Sequence, residues 1–175
     1  MHLPLFAFGL AITLALTPWA WTAELIENPP TRTLRASTHK AFKTVVEEVD
    51  FAISEHNFRI TGRNTVGSAI RERGHPRFPE VEIVSFCNLE NARKFIEIDP
   101  HYAGEMPCRI AIYQAEGKVW VSAPLLPEKN RNPKVDALAQ ALNRELREIV
   151  EFAVEQDAGA GGSPQSKPNP PASKR

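Results

Sequence analysis

The chain has 175 residues, 42% hydrophobic and 24% charged, which fits one globular domain with tails and not two domains. Its 21 basic and 21 acidic side chains cancel, so the global charge gives no reason to expect nucleic acid or an anionic membrane surface as a partner.

The elements begin with "LPLFAFGLAITLALTPWAW", residues 3–21, which carries no charge; the "TAELIENPPTR" behind it turns polar and Pro-rich at once. That is the pattern of a secretory signal or a short retained anchor. Residues 1–23 are therefore expected to export the chain to the periplasm or beyond, and to be its only membrane contact if they are kept. Cleavage is left open, because a cut after Ala23 places bulky Trp21 at the −3 position and the start of the chain offers only His2 as a basic residue. At the other end "DAGAGGSPQSKPNPPASKR", residues 157–175, has no apolar periodicity and reads as a disordered tail. The single domain is set at residues 24–156, with a packed part of roughly 125 residues, enough for one core.

Within the domain, "RTLRA" at residues 32–36 predicts an edge strand. "STHKAFKTVVEEVDFAISEHN" places Phe42, Val45, Val46, Val49, Ala52 and Ile53 on one helical stripe, with Ser37 or Thr38 as cap and Asn57 as stop. "FRITG" reads as a strand and "NTVGSAIRERG" as a two-turn helix closed by Gly74. "VEIVSFC" is a strand and "LENARKFIEI" a short helix ending at Asp99-Pro100. "CRIAIYQ", the turn "AEGK" and "VWVSA" make a hairpin. A last helix opens with Asn132 as cap and Pro133 at its first position, and carries Val135, Leu138, Leu142, Ile149 and Ala153 at helical spacing. The sum is an α+β two-layer sandwich: a mostly antiparallel twisted sheet with two long amphipathic helices on one face. A doubly wound nucleotide-binding sheet is disfavoured, since no strand leads into a Gly-rich phosphate turn.

The segments "FCNLENARKFIEIDP", "MPCRIAIY" and "KVWVSAPLLP", in that order behind "VVEEVDFAISEHNFRI", resemble the domain-of-unknown-function family 302 over roughly residues 34–155. Members of that family show a strand ending in Cys-Asn-Pro, a short helix ending near an acidic-Pro pair, and Leu-Pro-Cys opening a strand. Here Leu89 replaces the first motif's Pro and Met106 the second motif's Leu. The resemblance implies a compact, dimeric α+β fold and no reaction; members can accompany sulfur-oxidation genes.

Both cysteines of the chain, Cys87 and Cys108, fall at strand ends. Alternation groups Cys87 with Val81, Ile83 and Ser85, and Cys108 with Ile110 and Ile112; both sets are taken as the helix-covered side. Antiparallel neighbouring strands would make the thiols neighbours, whereas parallel strands would hold them about 15–20 Å apart. The recurrence of both motifs in the family implies one shared site. Three readings stay open. Two buried thiols or a disulfide would be structural, the latter worth about 3 kcal/mol in an oxidising compartment. A redox or sulfur-carrying pair would need a thiolate, for which the amides of Asn88 and Leu89 at a helix start could provide. A soft metal site would add His101 and Met106, and at greater remove His75, in a set suited to copper.

Two further features bear on partners. Arg59, Arg63, Arg71, Arg73 and Arg77 crowd a stretch with Glu72 as its one acid, so Arg59, Arg63 and Arg71, with Asn88, are candidates to bind a small anion or sulfur compound; a solvated face is the alternative. Val84, Phe86, Tyr113 and Trp120 are assigned to the uncovered sheet face, where a homodimer would bury them. No Ser-His-Asp arrangement with motif support, H-E-x-x-H or P-loop is present, and no cofactor is expected. The sequence therefore reads as an exported, non-catalytic binding or accessory protein, with a link to sulfur compounds; the alternative is thiol redox, sulfur carriage or soft-metal binding through Cys87 and Cys108.

Overall fold

The computed structural model describes residues 26–28, 32–129 and 132–155. The expected export segment and C-terminal tail lie outside the described residues. No described helix is long and apolar enough to cross a membrane.

Six strands form one sheet: β1 (Ile26–Asn28), β2 (Thr33–Thr38), β3 (Arg59–Asn64), β4 (Val81–Cys87), β5 (Cys108–Ala115) and β6 (Lys118–Pro124). Their order across the sheet is β1-β2-β6-β5-β4-β3, and every neighbouring pair is antiparallel. Four helices join them: α1 (Phe42–Glu55), α2 (Val66–Glu72), α3 (Leu89–Ile98) and α4 (Pro133–Val154). A 3-10 turn, Pro100–Glu105, follows α3. The α+β sandwich expected from the sequence is the observed fold.

The hairpin between β5 and β6 shows why the local sequence folds as it does. Ala115 pairs with Lys118, leaving a two-residue loop in which Glu116 (φ 54°) and Gly117 (φ 71°) both adopt left-handed backbone. That is the requirement of a turn whose twist matches its flanking strands, and Gly117 meets it without a steric cost. α4 starts as the sequence predicts, with the Asn132 side chain accepting from the Lys134 amide and Pro133 in the first turn. α1 does not. Ser37 and Thr38 belong to β2, where they pair with Trp120 and Val119, so the helix starts after Ala41 with no side-chain cap. β2 is also not an edge: the three residues of β1 pair outside it.

α1 and α4 pack on each other and on one face of the sheet, α1 against β3 and β5 and α4 against β2 and β6. Register identifies that face: Leu34 and Ala36 stand across from Ala123 and Val121, Val121 from Ile112, and Ile110 from Val84. All of these are fully buried, together with Val45, Val49 and Ile53 of α1 and Leu146, Ile149 and Val150 of α4.

The register corrects the expected dimer face. Val84 and Phe86 are 0% exposed and lie in the core, while Tyr113 and Trp120 are half-buried on the other side. The four residues do not share a face. Beside Trp120 that side carries the Arg35 guanidinium, 5.9 Å from the indole centre, so it is less apolar than expected.

α2 is held against β4 by a close backbone approach. A Cβ on Gly67 would sit 2.6 Å from both the Pro79 carbonyl oxygen and the Val81 amide nitrogen. Both obstacles are backbone and cannot rotate away. Gly67→Ala is accordingly expected to cost about 1–3 kcal/mol, read as a lower urea midpoint; an unchanged midpoint would show that α2 can lift from β4 freely.

Candidate functional site

β4 and β5 are antiparallel neighbours, so the end of one lies beside the start of the other. Phe86 stands across from Cys108, where the β4–β5 ladder ends, and Cys87 is the next residue along. The two cysteines are therefore neighbours along the backbone, but their parity differs from the expectation. Cys108 shares the helix-covered face with Phe86, Val84 and Ile110, whereas Cys87 follows Ser85 on the other side and lies beyond the last β4–β5 pair. Both thiols are free.

The two cysteines border one cleft at this end of the sheet. α3 contributes Asn91, Ala92 and Phe95 to its wall, the 3-10 turn and its exit Tyr102, Glu105 and Met106, the α1–β3 and β6–α4 connections Phe58 and Leu126, and α4 Leu142. The rings of Phe95 and Tyr102 pack at 5.3 Å, and Phe58 meets Phe86 edge-on at the same distance. Counting its open mouth the cleft measures ≈ 400 Å³, but its enclosed part is only ≈ 30 Å³. That is room for about one water molecule or ion, and far below the ~300 Å³ or more of a site that engulfs a drug-sized ligand.

Local hydrogen bonds fix the walls. Asn88 caps α3, its Oδ1 accepting from the Glu90 and Asn91 amides at 3.0 and 3.1 Å, and its Nδ2 donates to the Asn57 carbonyl at 3.1 Å. This candidate ligand residue is thus committed to structure, and it already occupies amides at the α3 start. Next to Leu142 in α4, Asn143 is 1% exposed. Its Oδ1 accepts from the Leu126 amide, and its Nδ2 donates to the Leu126 carbonyl and to Glu128, at 2.9, 2.9 and 2.8 Å. Removing it strands part-buried backbone groups of Leu126, so Asn143→Ala is expected to cost about 1–3 kcal/mol and to speed amide exchange at Leu126 before elsewhere. Normal protection at Leu126 in the variant would contradict that role.

Electrostatics inside the cleft disfavour charge. Burial, then the charge of Cys87, pushes the Cys108 thiol up to about 11 from an ordinary 9.0. A buried thiol surrounded by hydrocarbon keeps its proton, which is opposite to the shift that makes a cysteine nucleophilic.

The other candidates are dispersed. The His101 side chain is 96% exposed and bonded to Asp99 at 2.8 Å, outside the cleft wall; His75 is exposed in the α2–β4 connection. Arg63 pairs with Asp50 and Glu82, and Arg71 with Glu80 and the carbonyls of Phe78 and Pro79. These two cations are neutralised locally and do not converge as an anion site. Arg59 is exposed and stands across from Cys87 on β3. Sequence reasoning missed the walls, Tyr102, Glu105, Leu126 and Leu142. The seven-residue spacing of Phe95 and Tyr102 around the helix stop is the signal that could have found the first of them.

Comparison with known proteins agrees with this architecture. No curated protein matches the chain. A crystal structure of an uncharacterized conserved DUF302 protein from Bacillus stearothermophilus is similar, with a TM-score of 0.63 at 15% identity, covering 69% of this chain and 97% of that one. Identity that low speaks to the fold alone. The family described as "Domain of unknown function DUF302" matches residues 34–153, a span that runs from β2 to the last turn of α4 and includes both cysteines. The chain belongs to the DUF302 family.

Proposed function

We propose that this is an exported, non-catalytic carrier or accessory protein that holds a small thiophilic species, a soft cation or a reduced sulfur species, at the Cys87–Cys108 cleft. One observation carries the reading: two free thiols from adjacent strand ends line the same small apolar cleft, alongside the thioether of Met106. The enclosed space suits a single ion or small group. The raised Cys108 pKa argues against unassisted thiolate attack, because a neutral thiol is a weak nucleophile; a bound soft cation would have to displace its proton. Export rests on the uncharged run at residues 3–21.

The reading is tested with phenylarsine oxide, whose trivalent arsenic bridges two thiols when they are close. One equivalent per reduced chain is expected to block both cysteines from alkylation, and Cys87→Ser or Cys108→Ser to abolish tight uptake. Two independent sites, or no uptake, would remove the shared-site reading. A second reading, a structural disulfide, is favoured by the adjacency of the cysteines in an oxidising compartment. Intact mass after alkylation without reduction separates the two: two additions support carriage, and none, with a mass two hydrogens light, supports the disulfide.

A further inference from the structure

Three sulfur-bearing residues border one cleft. Met106 and Cys108 flank Pro107 at the entry to β5, and Cys87 closes β4, the adjacent strand. All three line the cleft, with Phe58, Phe95 and Leu142 among the hydrocarbon around them.

We propose that Cys87, Cys108 and Met106 form a three-sulfur site for one soft monovalent cation of the copper(I) class. The inference rests on the carrier reading and narrows its ligand to a metal ion.

The donor set selects the ion. Thiolate and thioether are soft ligands that suit copper(I). Structural zinc asks for four ligands drawn from Cys, His and carboxylate. Among the described residues no group of three or more His, Cys, Asp or Glu is placed to hold a metal. Magnesium and calcium ask for a shell of six or more oxygens, and Glu105 is the one carboxylate in the cleft wall. Copper(I) has no such demand: two thiolates and a thioether complete a three-coordinate shell.

Size and surroundings agree. The enclosed volume of ≈ 30 Å³ accepts an ion and excludes a chelated complex. The wall is mostly aromatic and aliphatic, and so offers an ion few ligands that compete with sulfur. The exchange balances without a redox partner. The cation bonds to both cysteine sulfurs, their protons leave to solvent, Met106 adds a neutral lone pair, and the metal stays in one oxidation state.

The test uses the full chain, reduced and freed of reductant under anaerobic conditions, with copper(I) supplied against the chromogenic chelator bicinchoninate. One copper per chain is expected, with X-ray absorption showing three sulfur neighbours. Met106→Leu, close to isosteric, should weaken retention by roughly tenfold or more, and either Cys→Ser change should abolish it. A stoichiometry other than one, nitrogen or oxygen in the first shell of the wild type, or retention unchanged in Met106→Leu overturns the proposal. The wild-type absorption spectrum decides even where a cysteine variant fails to fold. If phenylarsine oxide is taken up at one equivalent while copper(I) is not retained, this inference fails and the carrier reading stands. If neither is taken up, both fail.

Discussion

Phe86→Ala is expected to lower the stability of the domain by about 3–5 kcal/mol. Phe86 is 0% exposed, stands across from Cys108 on the helix-covered face, and presents its face or edge to Phe58 with ring centres 5.3 Å apart. Truncation removes a phenyl ring from a fully buried site beside Phe58, where the surrounding core can close the gap only in part. A domain of this size is stable by about 5–15 kcal/mol in all, so the variant should lose a large share of its margin. Urea unfolding measures it directly, with size-exclusion chromatography run beside it. A loss below about 1 kcal/mol together with a change of oligomeric state would return Phe86 to an interface, where alternation alone had placed it.

The second large effect concerns the Cys108 thiol. With a pKa of about 11, only about one molecule in 10⁴ carries the thiolate at pH 7, and alkylation should accelerate about tenfold per pH unit up to pH 10. Against the same cysteine in the unfolded chain, for which 9.0 is the reference, the folded thiol should react roughly a hundredfold more slowly. The stability consequence has a definite sign. An acid whose folded pKa lies above its unfolded value leaves stability intact below pH 9 and loses it as pH rises from 9 towards 11, by about 3 kcal/mol. Cys87→Ser should lower the Cys108 pKa, since the charge of Cys87 is the second cause of its elevation after burial. Peptide-resolved alkylation rates across pH 6–10 check both statements; a midpoint at or below pH 8 would place Cys108 among reactive thiols and contradict the elevation by burial.

The contrast between the two faces of β4 shows what the amino-acid order could disclose. Helix α4 was legible because a cap, a first-turn proline and a single apolar stripe agree, and the β5–β6 hairpin because Glu116-Gly117 leaves few alternatives to a two-residue turn. "VEIVSFC" is different. It is apolar on both sides, Val81 and Ile83 on one and Val84 and Phe86 on the other, so alternation describes two faces without saying which is covered. Only the pairing of Phe86 with Cys108 and Val84 with Ile110 decides it, and register is a property of two strands and not of one. The same limit hid the cap of α1: Thr38 is a good capping residue in isolation, but β6 claims it. His101 looked like a ligand because it lies between the cysteines in sequence; Asp99, two residues earlier, holds it in solvent instead. Asn143 was invisible for another reason, since nothing in an amphipathic stripe announces which polar residue will be buried by the loop it holds.

The sheet order has a consequence for when the chain can fold. β2 finds its inner partner only in β6, with Thr33 opposite Pro124, and α1 packs on α4. The first elements to leave the ribosome thus wait for the last ones, because the pairings that bury Leu34 and Ala36 are among the most distant in the sequence. Such loop closure is slow and comes late. A nascent chain stopped before Lys118 would keep β3, β4 and β5 as a local meander, yet offer β2 an open edge and no roof. Translation must pass beyond α4 before the domain can close.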